Sequence, residues 1–187
     1  YRRQRQMCIR DRDVPYGELR ERLKADGQVL EFTSADGGKA SPAAPPMPVN
    51  RLAGIVVDDE QAEFEGEWVT SHAGTAIGSG YRHDGNHRDG SRAAKFSFEV
   101  ADEGRYEVRL AYAANPNRAT NVQVRVEHAE GTTERMVDQR KAPDVEGRFV
   151  SLGVFRFEKG KKGSVRITNR GADGYVIADA VQVVQPK

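Results

Sequence analysis

Residues 94–128 read AKFSFEVADEGRYEVRLAYAANPNRATNVQVRVEH, and the period of that stretch decides the fold class. Phe96, Phe98 and Val100 alternate with Lys95, Ser97 and Glu99. Tyr106, Val108, Leu110 and Tyr112 alternate with Glu107, Arg109 and Ala111, and Val122, Val124 and Val126 with Gln123, Arg125 and Glu127. A period of two sends successive side chains to opposite faces of a strand. When one set is apolar and the other mostly polar, the strand is half-buried and antiparallel. Glu103-Gly104 and the Asn/Pro-rich ANPNRATN (114–121) supply the turns between these three strands.

Working outward, GIVVDD (54–59), ERMVDQ (134–139), FVSLGVFRF (149–157), SVRIT (164–168) and YVIADAVQVV (175–184) read as further strands. Glu130-Gly131, EKGKKGS and NRGADG punctuate them with glycines that accept positive φ. Eight or nine short strands without an intervening helix predict an all-β, antiparallel two-sheet sandwich of jelly-roll type. A hydrophobic content of 37% against 30% charged suits such a thin core, and a length of 187 residues predicts one domain plus a tail.

The tail precedes residue 51. Residues 1–12, YRRQRQMCIRDR, hold five arginines and one aspartate, more than the whole positive balance of the chain, so the remainder is mildly acidic. That remainder carries no nucleic-acid footprint. Residues 1–12 also read as a non-native, adapter-derived terminus and are set aside, which makes the chain an expected fragment. They contain the sole cysteine, Cys8, so no internal disulfide is available. Residues 13–32 predict a short helix with Tyr16, Leu19 and Leu23 on one stripe, the C-terminal remnant of an upstream module. In residues 33–50, 12 of 18 positions are Gly, Pro, Ala or Ser, the composition of a linker. No apolar run reaches the roughly 18 residues of a membrane span.

The densest polar cluster is YRHDGNHRDGS (81–91). His83 and His87 have the i, i+4 spacing of a zinc pair on a helix, but Gly85 and Gly90 make the segment a loop. A structural zinc site needs four ligands, and no third His or Cys lies nearby, so no metal is assigned. Asp58, Asp59 and Asp179 are fewer oxygens than calcium takes; the alternative is that they tie the terminal strands together through backbone N–H groups. There is no nucleophile elbow, no phosphate loop and no HExxH, so catalysis is not expected.

GIVVDDEQAEFEGEWVTS followed by GSGYRHDG, then GRYEVRLAYAANPNRATNVQVRVEHAEG, VDQR, SLGVFRFEKGKKGSV and GYVIADAVQVV, resembles the golvesin C-terminal-like domain. This family is also called the xanthan-lyase carbohydrate-binding-domain-like module. The resemblance covers about residues 54–184, while VPYGELRERLKADGQVLEF (14–32) resembles the C-terminal end of a bacterial FAD-dependent oxidoreductase. No GxGxxG fingerprint is present, so no flavin or other cofactor is assigned. The resemblance implies a non-catalytic accessory module of secreted proteins, located extracellularly, in the periplasm or on the cell surface. Its partner would be a polysaccharide or the upstream catalytic domain, with no nucleic acid and no membrane span. The alternative it leaves is a docking or stabilising domain of that oxidoreductase with no ligand of its own.

A sugar-binding role needs an exposed ring for the apolar face of a pyranose and planar polar groups for its hydroxyls. Trp68 is expected in the core, and Tyr81, beside the polar cluster, is the expected platform. If the loops around 81, 118 and 139 converge on one rim, the candidate ligand-binding residues are Tyr81, His83, Asn86, Tyr112, Asn117, Arg118, Gln139 and Arg140.

Overall fold

The computed structural model describes residues 45–72 and 75–186, all within the unit spanning 42–187. The expected terminus 1–12, the helix 13–32 and most of the expected linker lie outside the described residues.

Twelve strands and no α-helix make up the described residues. A four-stranded antiparallel sheet runs in the order β1 (Ile55–Asp58), β12 (Ala180–Val184), β6 (Gly104–Ala111), β9 (Phe149–Phe157). A five-stranded sheet runs β2 (Glu63–Glu65), β5 (Ala93–Glu99), β10 (Lys162–Thr168), β7 (Val122–His128), β8 (Gly131–Val137), with β8 at its edge. A small third sheet joins β11 (Ile177–Ala178), β4 (Tyr81–His83) and β3 (Val69–Ser71). The sandwich is therefore two principal sheets with an annex. The predicted strand YVIADAVQVV is split at Asp179 into β11 and β12, and the short β2, β3 and β4 had no alternating run to announce them.

Between the principal sheets lies the core. Phe96, Phe98, Val108, Leu110, Val122, Val124, Val126, Val165 and Ile167 are all buried there, as the alternation requires. Burying one such side chain stabilises the fold by about 1.5–3 kcal/mol. Gly163 shows how tightly the middle is filled. It pairs with Phe98, whose ring meets that of Phe157 edge-on at 5.1 Å. A Cβ on Gly163 would sit 2.6 Å from Phe157 and 2.8 Å from Phe98. Trp68 is half-buried against the core, its indole N–H donating to the Glu65 carbonyl at 3.0 Å.

Ala111, expected on the solvent side of β6, is buried instead. With Ile77, Phe149 and Ala180 it forms a second apolar cluster, against which Met47, Val49, Leu52, Val56 and Val145 pack. Met47 belongs to the stretch expected as linker. Its N–H donates to Ala76 O and its carbonyl accepts from Gly78 N–H, both at 2.9 Å, and Arg148 reaches the Pro45 carbonyl at 2.8 Å. Residues 45–52 are thus a strap on the sandwich.

Candidate functional site

Four loops meet at one end of the sandwich: the turn after β4, the β6–β7 connection, the residues after β8, and the β10–β11 connection. What draws them together is a set of buried polar side chains, each with its bonding capacity taken up, as burial demands. Asp84 accepts from Val176 N–H and Asn86 N–H, both at 3.0 Å, and from the Asn169 amide. Asn169 in turn accepts from Arg92 N–H at 3.1 Å and donates to the His87 carbonyl. Gln139 pairs with both backbone groups of Ile177, donating and accepting at 2.8 Å.

Arg118 ties the knot. Its guanidinium donates to the Ala113 carbonyl at 3.1 Å, to Asn117 Oδ1 at 3.0 Å and to the Tyr81 hydroxyl at 3.0 Å. Arg140 donates to the Arg118 carbonyl at 2.7 Å and pairs with Asp173 at 3.3 Å. The hydroxyl of Tyr112 donates to the carbonyls of Asp138 and Lys141, at 3.3 and 3.1 Å. Gly174 lets two loops touch, since a Cβ there would lie 2.6 Å from the Arg118 backbone.

The segments around 81, 118 and 139 therefore do converge, but half of the expected side chains face inward. Tyr81, at 2% exposure, and Tyr112, at 3%, are buried and offer no ring to solvent. Arg118 and Gln139 are buried too, and act as ties between loops. The reason is elementary: neighbouring loops at a sandwich end bring many backbone N–H and C=O groups together, and long polar side chains are what satisfies them. His83 and Asn86 remain half-buried, and Asn117 and Arg140 exposed.

The accessible ring is one the sequence reading passed over. Tyr175, half-buried, lies edge-on to His83 with centroids 5.5 Å apart. It is pinned through its backbone, donating to Asn117 O at 3.1 Å and accepting from Ala119 N–H at 2.9 Å. Its hydroxyl makes no hydrogen bond among the described residues. The signal was present in ADGYVIAD, a tyrosine following a glycine turn just as Tyr81 follows GSG.

Burial, and next the nearby Arg118 charge, hold the His83 pKa below its ordinary value. The ring is neutral at pH 7, and its Nδ1 accepts from Gly85 N–H at 3.1 Å, which leaves Nε2 as the protonated nitrogen. Asp173 is held low by hydrogen bonds from Thr120 N–H and hydroxyl, so it stays an anion beside Arg140. The rim thus presents one ring, a neutral imidazole donor, an amide, and an Arg–Asp pair. This arrangement can hold hydroxyls and one apolar sugar face; it offers no activated nucleophile.

At the opposite side of the chain's chemistry, Asp179 is deeply buried and accepts from Ile77 N–H at 3.1 Å, tying the start of β12 to the loop before β4. Asp59 pairs with Arg82 at 3.2 Å. Asp58 is 6% exposed, and its Oδ1 has no hydrogen-bond partner among the described residues. Burial first, and then the neighbouring Asp59 charge, push the Asp58 carboxyl up to about 6. Among the described residues no three His, Cys, Asp or Glu side chains gather as a metal site.

Comparison with known proteins gives one family: the golvesin C-terminal domain matches residues 55–185. A xanthan lyase of Bacillus sp. (strain GL1) is 37% identical over 167 residues, which are 86% of this chain and 17% of that enzyme. The chain thus spans about a sixth of the curated relative's length. A Paenibacillus xanthan lyase structure superposes with a TM-score of 0.66 at 34% identity, over 71% of this chain and 13% of that one. A family 35 carbohydrate-binding module from Clostridium thermocellum shares the fold, with a TM-score of 0.51 at 14% identity over 70% of this chain and 98% of that module.

Proposed function

We propose, from the premise that the chain belongs to the golvesin C-terminal domain family, that it is a non-catalytic module that holds a polysaccharide at the rim around Tyr175. The observation that carries this reading is the pairing of Tyr175 with the neutral His83 ring on a base of fully bonded buried polar groups. A pre-organised rim loses little freedom on binding, so even a shallow contact gives measurable affinity. One ring and a few hydrogen bonds correspond to a Kd on the order of 10–1000 μM. The similarity to proteins named xanthan lyases makes xanthan the first polymer to try, and it favours a place outside the cell. No helix among the described residues is long and apolar enough to cross a membrane.

A docking domain without a ligand needs a contiguous apolar face. The exposed large apolar side chains among the described residues, Val69, Met136 and Val154, stand on three different sheets. That distribution favours the sugar-binding reading. Affinity electrophoresis of the full chain in gels cast with xanthan or with neutral glucans tests it. Tyr175→Ala is expected to weaken binding about tenfold, by removing the stacking face, while the fold persists with a melting temperature lower by about a few degrees, since the ring is half-buried. Wild-type binding from the variant, or none from the wild type to any polymer, discards the rim. New reducing ends on incubation would show catalysis and overturn the non-catalytic assignment.

A further inference from the structure

The outer face of the five-stranded sheet carries three cations in register. Arg166 on β10 stands directly opposite Lys95 on β5 and Arg125 on β7. Neighbouring strands are about 4.8 Å apart, and like charges directly opposite destabilise a sheet. Glutamates close the row at both ends, Glu63 opposite Lys95 and Glu134 opposite Arg125. One further arginine, Arg170, stands beside Thr168, and its guanidinium has no hydrogen bond or ion pair among the described residues. Together Gln123, Arg125, Met136, Arg166, Thr168 and Arg170 line an open groove of about 670 Å³. Nothing in the core asks for this concentration of charge, because all of these guanidinium groups face solvent.

Two of these arginines already hold carboxylates of the chain itself. Arg166 holds the Glu65 carboxylate through two N–H···O bonds, at 2.7 and 2.6 Å, and Arg125 holds Glu134 at 2.9 Å. A planar fork meeting a carboxylate with two parallel bonds is the geometry that distinguishes arginine from lysine. Met136, 62% exposed beside these charges, offers an apolar contact, and Gln123 and Thr168 offer groups that bond hydroxyls. Acidic flanks oppose a densely charged phosphate backbone and tolerate a polymer with sparse carboxylates and sugar faces between them.

We propose that this face is a second binding surface, which takes a carboxylate-bearing polysaccharide across β10, β7 and β8. Arg170 clasps its carboxylates together with the donors that the single bond to Glu134 leaves on Arg125, Arg166 stays locked to Glu65 and adds its positive charge, and Met136 lies against a sugar ring. The proposal takes from the rim reading only that the ligand is a polysaccharide; its surface and its charge requirement are separate.

The test is affinity electrophoresis of the full chain with polygalacturonate, with dextran as the neutral polymer and double-stranded DNA as the phosphate polymer. The wild type is expected to bind polygalacturonate at least about tenfold more tightly than dextran or DNA, and more weakly as salt rises. Arg125→Gln/Arg170→Gln is expected to lose about tenfold for polygalacturonate while its dextran binding and melting temperature hold. Should the double variant melt early, Arg170→Gln alone, which breaks no pair, is expected to lose about threefold. Tyr175→Ala separates the two surfaces: its polygalacturonate binding is expected to change less than about twofold. Unchanged polygalacturonate binding in the arginine variants overturns the proposal, as does wild-type binding to DNA or dextran as tight as to polygalacturonate. A loss confined to Tyr175→Ala would overturn it too, while leaving the rim in place.

Discussion

On the outer face of the four-stranded sheet, Ala111, Phe149 and Ala180 are buried against Met47, Val49 and Leu52. On the outer face of the five-stranded sheet, Lys95, Arg166 and Arg125 stand in a row that no segment among the described residues covers. Both sheets are built from strands with an apolar inner face, so the core does not explain the difference. It lies in what the outward positions carry. Where they are Ala and Phe, a strap from the preceding chain covers them; where they are Arg, Lys and Glu, nothing among the described residues does. Like charges side by side lower stability, and here the glutamates Glu65 and Glu134 offset part of that cost by pairing with Arg166 and Arg125.

The largest test of this contrast is Phe149→Ala. The side chain is fully buried in the covered face, and its removal leaves a cavity beneath the strap, so a loss of about 3–5 kcal/mol is expected in urea unfolding. A loss below about 1 kcal/mol would mean that the strap collapses freely onto the sheet, and that the two faces differ less than their packing says.

The second test uses the charge enclosed at the end of β1. The unfolded Asp58 carboxyl titrates near 3.8 and the folded one near 6. Between those values the folded chain keeps a proton that the unfolded chain has released, so stability falls as pH rises from about 4 to 6 and stays lower above. Asp179 is raised for the same first reason, burial, and adds to the fall. Exposed Asp89, held down to about 2 by hydrogen bonds from Ser91, works in the opposite sense, but below this window. Asp58→Asn removes the charge and keeps the shape. It is expected to raise stability at pH 7 by about 2 kcal/mol and to flatten the decline between pH 4 and 6 in thermal melts. A variant less stable than the wild type at pH 7 would show that the ionised carboxylate has a favourable partner.

The smallest effect belongs to the open face. Arg125→Gln removes an ion pair whose members are 50% and 73% exposed, and is expected to change stability by no more than about 0.5 kcal/mol. A substantial destabilisation in urea would assign the row to folding rather than to binding.

The long strands were legible because alternation is a local signal: Phe96, Phe98, Val122, Val124 and Val126 are inward as the period of two requires. Ala111 was misread because its burial depends on residues more than 30 positions away, and Met47 looked like linker because proline-rich composition does not reveal what it packs against. At the rim, the meeting of three loops could be anticipated from their turn residues. The orientation of Tyr81, Arg118 and Gln139 could not, because it is set by which backbone groups each loop leaves unbonded once all are assembled. Tyr175 escaped notice since a tyrosine at the head of an apolar run reads as core. The arginine row shows only when register is known, as Lys95, Arg125 and Arg166 lie far apart in sequence.

Strand β8 ends the five-stranded sheet, and it is also one wall of the groove. Its side chains Glu134 and Arg135 are exposed, and Arg135 turns to donate to the Leu152 carbonyl of β9 at 2.9 Å. An unpaired strand flank is a template on which a second chain can add, and charge along it is what discourages that growth. Engineering tighter anion capture by neutralising Glu134 would therefore trade solubility for affinity. Copies of the molecule would begin to compete with the polymer for the same flank.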